Sequence, residues 1–177
     1  MELPLQLHLH RWERRTPDWT AAAVAGFAGG AVLMMLELIW SGVSQGDAGL
    51  WRTSHLVAAL LLGPEAMWSA SPGFDAGLVI AALITHYLLG IAFGMVLGFV
   101  ATGFHYEDNA GAMTGIGAAF GALLYGINFH VMVRWFPWFM ELQGWPTFAA
   151  HVIFGVTAAL LYWKLARSGP ARRRFVQ

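Results

Sequence analysis

The chain has 177 residues, a formal net charge of zero, 58% hydrophobic side chains and only 11% charged ones, where a soluble domain carries about a quarter. With a mean hydropathy of +0.57 it belongs in a bilayer, and the absence of Cys removes disulfides, thiolate metal sites and thiol redox chemistry. Neither a basic patch interleaved with aromatics nor a Gly-rich phosphate loop leading to Lys occurs, so nucleic acid and nucleotides are not expected as partners.

A hydrocarbon core of about 30 Å takes roughly 20 apolar residues as helix, and only helix or closed barrel satisfies its backbone in lipid. Four runs qualify in chain order, at 19–40, 77–103, 111–133 and 146–165. Between the first two, 50–62 is apolar but too short to span and stops at Gly63-Pro64, so it reads as a re-entrant or interfacial helix. The expectation is an all-α membrane protein forming one domain over 1–177. It is a four-transmembrane-helix bundle with a short helix in its first outer loop and basic tails at 1–18 and 166–177. The first run follows basic residues but is full length and lacks a small-residue cleavage site, which makes it a span rather than a signal peptide.

Arg11, Arg14 and Arg15 precede the first span, and Lys164, Arg167 and Arg172 to Arg174 flank or follow the last. Cytoplasmic flanks retain such residues, so a multi-pass protein of the bacterial inner membrane is expected, with both termini cytoplasmic. Trp40, Trp51, Trp68, Trp135, Trp138 and Trp145 then fall at the outer interface, and Trp12, Trp19 and Trp163 at the inner one, as an aromatic belt in contact with lipid.

Helices in lipid associate by close backbone approach at small residues spaced four apart. The second span carries such a stripe, Gly90, Gly94 and Gly98, with His86 one step further along it. The fourth repeats the pattern as His151, Gly155 and Ala159. Gly26, Gly30, Gly117 and Gly121 supply packing positions in the first and third spans. Laying Phe27 on Phe120 aligns those spans loosely and matches Glu37 with His130, so the halves read as a duplicated hairpin with an insertion in the first outer loop. By the helical rise, His86 lies roughly 13 Å and His151 roughly 8 Å from the outer ends of their spans. Glu37 and His130 are nearer the boundary. All four therefore fall in the outer half, near His55 and Glu65, and the inner half has no ionisable group.

Intramembrane ionisable groups are costly and mark sites or internal pairs. Two readings stand for the histidines. Each can be a packing hydrogen bond worth about 0.6 to 2 kcal/mol, or His86, His151, His130 and Glu37 can form a shared metal or haem site, since neutral imidazole suits Fe, Cu and Zn. Glu37 at that depth calls for a proton, a cation or a salt bridge, for which Arg134 is at hand. Asn128 reads as helix-to-helix glue, His55 and Glu65 as interfacial, and His8, His10 and His105 as loop residues. The scattered Met34, Met35, Met95 and Met132 read as packing. The outer loop, with Trp51, Arg52, His55, Trp68 and Trp138 nearby, is either a partner contact or a lid on the bundle.

The stretches WRTSHLVAALLLGPEAM, GINFHVMVRWFPWF and GWPTFAAHVIFGVTAALLYW resemble a group of small bacterial inner-membrane proteins often named "sodium:proline symporter", similar in size and layout to the YagU-type membrane proteins. The likeness covers most of 20–165 and rests on Gly63 and Pro64, on Asn128, Phe129, Phe136, Pro137, Trp138 and Phe139, and on His151, Phe154 and Gly155. In that group the position of His130 more often holds an aromatic. The resemblance implies no settled activity, and alternating access as in large symporters needs two bundles where four helices make one.

Three functions remain open. The first is an accessory or assembly subunit of a larger membrane complex, such as a respiratory one. The second is a carrier of haem b or a transition metal, and the third a homodimeric proton-coupled transporter using Glu37. Catalysis by the chain itself is not expected, because no H-E-x-x-H, no G-x-S-x-G and no carboxylate pair within a span occurs.

Overall fold

The computed structural model describes residues 16–67, 73–104 and 109–168. Trp68, His105, His8, His10, Trp12 and most of the basic tails lie outside the described residues. Four long helices dominate: α1 Trp19–Leu62, α2 Ala76–Gly103, α3 Ala110–Gly126 and α4 Trp145–Ser168. All four contain stretches long and apolar enough to cross a membrane, and no strand occurs among the described residues. The protein is an all-α membrane protein built as a four-helix bundle.

The helix starts follow from local chemistry. The first N–H groups of a helix have no intrahelical partner, and a short polar side chain before them supplies one. Asp18 accepts from the Ala21 amide (2.9 Å), Asp75 from Leu78 (3.0 Å), and Asn109 from Gly111 and Ala112 (2.8 and 3.2 Å). Pro146 stands in the first turn of α4, where its missing N–H costs nothing.

Two departures from straight helices shape the molecule. The short helix expected at 50–62 is present and follows the first span directly. It is the second arm of α1, joined to the first at Gly46, whose φ of 67° and ψ of −157° turn the chain within one residue. Only glycine adopts such a conformation readily. Ser41 Oγ and Thr53 Oγ1, on opposite sides of the corner, share a hydrogen bond of 2.8 Å. The other departure is at the end of the third span. After Gly126 the helix widens into a π turn, Ile127–Val131, and then tightens into 3₁₀ turns at Met132–Arg134 and Pro137–Leu142.

α1 packs against α2 and α4, and α4 against α3, while α2 and α3 barely meet. The inner pair is therefore α1 and α4, with α2 and α3 flanking. Chain termini and the α2–α3 connection share one end of the bundle, and the α1–α2 and α3–α4 connections share the other. The terminal end is solid. There Ala21, Ala22 and Ala25 meet Leu97, Ala101, Met113, Ala158 and Tyr162, all buried, and Tyr162 and Thr102 share a 2.7 Å hydrogen bond.

Each hairpin is held by a glycine seam. A side chain on Gly26 would meet the Gly90 carbonyl and Gly94, and one on Gly94 would come within 2.6 Å of the Ala22 carbonyl oxygen. In the second hairpin Gly117, Gly121 and Gly155 meet in the same way, with Gly121 against the backbone of His151. Gly115 on α3 faces open space instead. Gly155→Val in purified protein is expected to cost about 1 to 3 kcal/mol through overpacking and to lower the thermal midpoint in detergent. Gly115→Ala should leave the midpoint unchanged or raise it, because a helical Gly gains from substitution where space allows.

Candidate functional site

At the connection end the helices part around a cavity of about 320 Å³. Both arms of α1, α2, the end of α3 with its π turn, the Pro137–Leu142 turn and α4 all contribute to its wall. Most of the lining is apolar, including Leu33, Val57, Leu83, Phe93, Phe129 and Phe154. Seven polar residues join it: Glu37 of the first arm of α1, Thr53 and Ser54 of its second arm, His86 of α2, Asn128 of the π turn, and Thr147 and His151 of α4.

Hydrogen bonds link Glu37, Thr147, His151 and Asn128, while His86 bonds separately to α1. His86 crosses to α1, where its Nε2–H donates to the Gly30 carbonyl at 2.8 Å. That bond depends on the close approach of α1 and α2 along the seam, where Gly26 meets Gly90 and Gly94. His151 is buried. Its Nδ1–H donates to the Thr147 carbonyl one turn back (2.8 Å), which leaves Nε2 to accept from the Asn128 amide at 3.3 Å. The Thr147 hydroxyl in turn donates to Glu37 Oε2 at 3.2 Å. The other carboxyl oxygen, Glu37 Oε1, is buried with no hydrogen-bond partner among the described residues.

The second arm of α1 forms the lid of this chamber. Ala58 packs on Ala81 and Ala82 of α2, Trp138 Nε1–H donates to the Leu56 carbonyl (3.2 Å), and Arg52 forms a two-pronged ion pair with Glu141 (2.8 and 3.0 Å). Trp51 lines the cavity and packs edge-on against Phe74. Of the residues considered for an outside partner, Trp51, Arg52 and Trp138 thus make contacts within the chain. His55 is buried, 2% exposed, rather than interfacial, while Glu65 is exposed as expected.

Sequence reasoning gathered Glu37, His86, His130 and His151, and the structure brings three of the four together. His130 is exposed, does not line the cavity and meets the edge of the Tyr125 ring. Asn128 instead stands seven residues after Gly121, on the face that meets α4, and reaches His151. Arg134 is not the partner of Glu37, whose partner is Thr147. Thr147 was not singled out from the sequence, although its place four residues before His151 is the signal that could have found it.

His86 and His151 each donate one ring N–H to a backbone carbonyl, and no group of three or more His, Asp or Glu among the described residues converges for a metal ion. Comparison with protein-family models, curated proteins and solved structures finds no match for the chain in any of the three.

Truncating Asn128 and His151 to Ala, singly and together, should give a coupling of about 0.6 kcal/mol in a double-mutant cycle of unfolding in detergent, the usual strength of an interhelical bond in a membrane. The exposed Arg52–Glu141 pair is expected to be worth no more than about 1 kcal/mol. Arg52→Gln should therefore shift the melting midpoint only slightly, and less so as salt is raised.

Proposed function

We propose that this small integral membrane protein binds a small, mainly apolar molecule in the cavity at its connection end, with the Glu37, Asn128 and histidine network recognising the polar part of that ligand. The observation that carries the reading is the coincidence of a large apolar chamber with a few convergent polar groups, one of them an unpartnered buried carboxyl oxygen. That combination is the usual form of a small-molecule site. Intramembrane ionisable groups seldom persist without such a use.

Two further features support it. Leu89 lines the cavity and is also 41% exposed on the outside of α2, so one side chain separates the chamber from the surrounding lipid and a lipid-soluble ligand has a short way in. The packed terminal end blocks the opposite direction, which gives the chamber one-sided access in this conformation. Transport through Glu37, one of the three functions open from the sequence, agrees with this arrangement.

The basic flanks place the cavity on the outer side of a bacterial inner membrane in this reading. The Cys-free sequence makes that testable, because Gln143→Cys should react with a membrane-impermeant maleimide added outside intact cells and Ser168→Cys should not.

The binding reading is tested with 3-(trifluoromethyl)-3-phenyldiazirine, a small neutral photolabel, applied to the purified protein in lipid nanodiscs and mapped by mass spectrometry. Saturable labelling of Phe93, Met132 and Phe154, suppressed when Ser54→Phe fills the chamber, is the expected result. Labelling confined to outward-facing residues such as Val43 and Leu88, unaffected by Ser54→Phe, would overturn it.

A further inference from the structure

The lining of the cavity specifies the charge of what it holds. We propose that the ligand is a small organic cation with an apolar or aromatic body, a lipophilic amine or quaternary ammonium; this rests on the binding function proposed above.

Four observations lead there. Among the described residues no Lys or Arg lines the chamber, whose ionisable groups are Glu37, His86 and His151. Arg52, on the arm that covers it, is turned to Glu141. A ligand anion would therefore enter a space with no countercharge, which is prohibitive away from water.

The histidines do not supply positive hydrogen-bond donors either. A ring with one proton has one donor, and each spends it on a backbone carbonyl, His86 on Gly30 and His151 on Thr147. What His86 has left is a lone pair on Nδ1. The start of α4, whose dipole would favour an anion, already faces the Glu37 carboxyl through the Thr147 hydroxyl.

Glu37 is left with an unmatched oxygen. Oε1 is buried and finds no donor among the described residues, so the chamber holds one acceptor that lacks a partner, to which a ligand amine would donate and beside which a quaternary cation would lie as countercharge. Buried carboxyl oxygens are otherwise satisfied.

The rest of the wall suits the same ligand. Trp51, Phe93, Phe129, Phe139 and Phe154 line the chamber from five different segments. Aromatic faces around a desolvated cation attract it through the ring quadrupole, the means by which aromatic cages hold quaternary ammonium groups. An apolar neutral molecule would use the rings but leave Oε1 unmatched, and an anion would use neither.

The test employs two probes of the same shape and opposite charge, tetraphenylphosphonium and tetraphenylborate. Their binding to the purified full-length protein is measured by equilibrium dialysis in mild detergent. Tetraphenylphosphonium is expected to bind saturably and at least about tenfold more tightly than tetraphenylborate, one carboxylate–cation contact being worth that much. Glu37→Gln should remove about tenfold of the affinity for the cation and leave the borate unchanged, Glu37→Asp should restore part of it, and Ser54→Phe should block the cation outright. Should Glu37→Gln fail to fold, judged by elution and melting, the ratio of the two probes on the unaltered protein decides.

Equal binding of both probes, still blocked by Ser54→Phe, overturns the inference about charge and leaves the cavity as a site for neutral molecules. Binding of neither probe, or binding that Ser54→Phe does not alter, overturns the inference as well. In that case the photolabelling above shows separately whether the chamber takes any ligand.

Discussion

Backbone contact at glycine governs this structure. In lipid a leucine gains nothing by leaving its surroundings for a neighbouring helix, and association must come from dispersion at short range and from polar contacts between helices. Gly26 against Gly90 and Gly94, and Gly117 with Gly121 against Gly155, bring main chain to main chain. Only then are the side chains of one helix within reach of the carbonyls of the next. The His86 bond to the Gly30 carbonyl is a product of that proximity, and a methyl group at the seam would remove both.

The seams also explain why the bundle is tight at one end and open at the other. Alanines and glycines run along the terminal end of every helix, and the bundle closes there around Leu97, Met113 and Tyr162. Towards the connections the small residues give way to Met34, Leu83, Phe129 and Phe154. Larger side chains hold the helices apart, and the Gly46 corner and the π turn widen the gap further. π turns inside helices are frequent at functional sites, and here the turn contains Asn128, which donates to His151. The polar network lies where the packing is loosest, so the groups that could bind something border space in which to bind it.

The layout was legible in the sequence because its signals are local. Hydrophobic length gave the four helices, and glycines four apart gave the packing faces. Glu37, His86 and His151 stood out as ionisable groups at membrane depth, and the structure brings them to one chamber. What the sequence did not reveal depends on dihedral angles that no periodicity records. A single residue at positive φ, Gly46, joins the first span directly to the short helix and turns that helix back against α2. The lid role of the second arm follows from Arg52, Leu56 and Ala58 meeting partners distant in sequence.

The seams also reset the internal alignment. Gly90 lies between Gly26 and Gly30, and Gly155 between Gly117 and Gly121, so Gly26 corresponds to Gly117 and Gly30 to Gly121, while His86 and His151 remain equivalent. This register differs from the one that lays Phe27 on Phe120, and it carries Glu37 onto Asn128 instead of His130. The two hairpins thus bring an acid and an amide to matching places against a shared pair of histidines. The amide satisfies its histidine, Asn128 donating to His151. Its acidic counterpart stays only half matched, bonded by Thr147 and otherwise open. A pair of equal hairpins would have produced two acids or two amides, and either a doubly charged chamber or a neutral one. The divergence at this one position leaves a single carboxyl group in an apolar space, and the charge preference proposed for the ligand depends on that asymmetry.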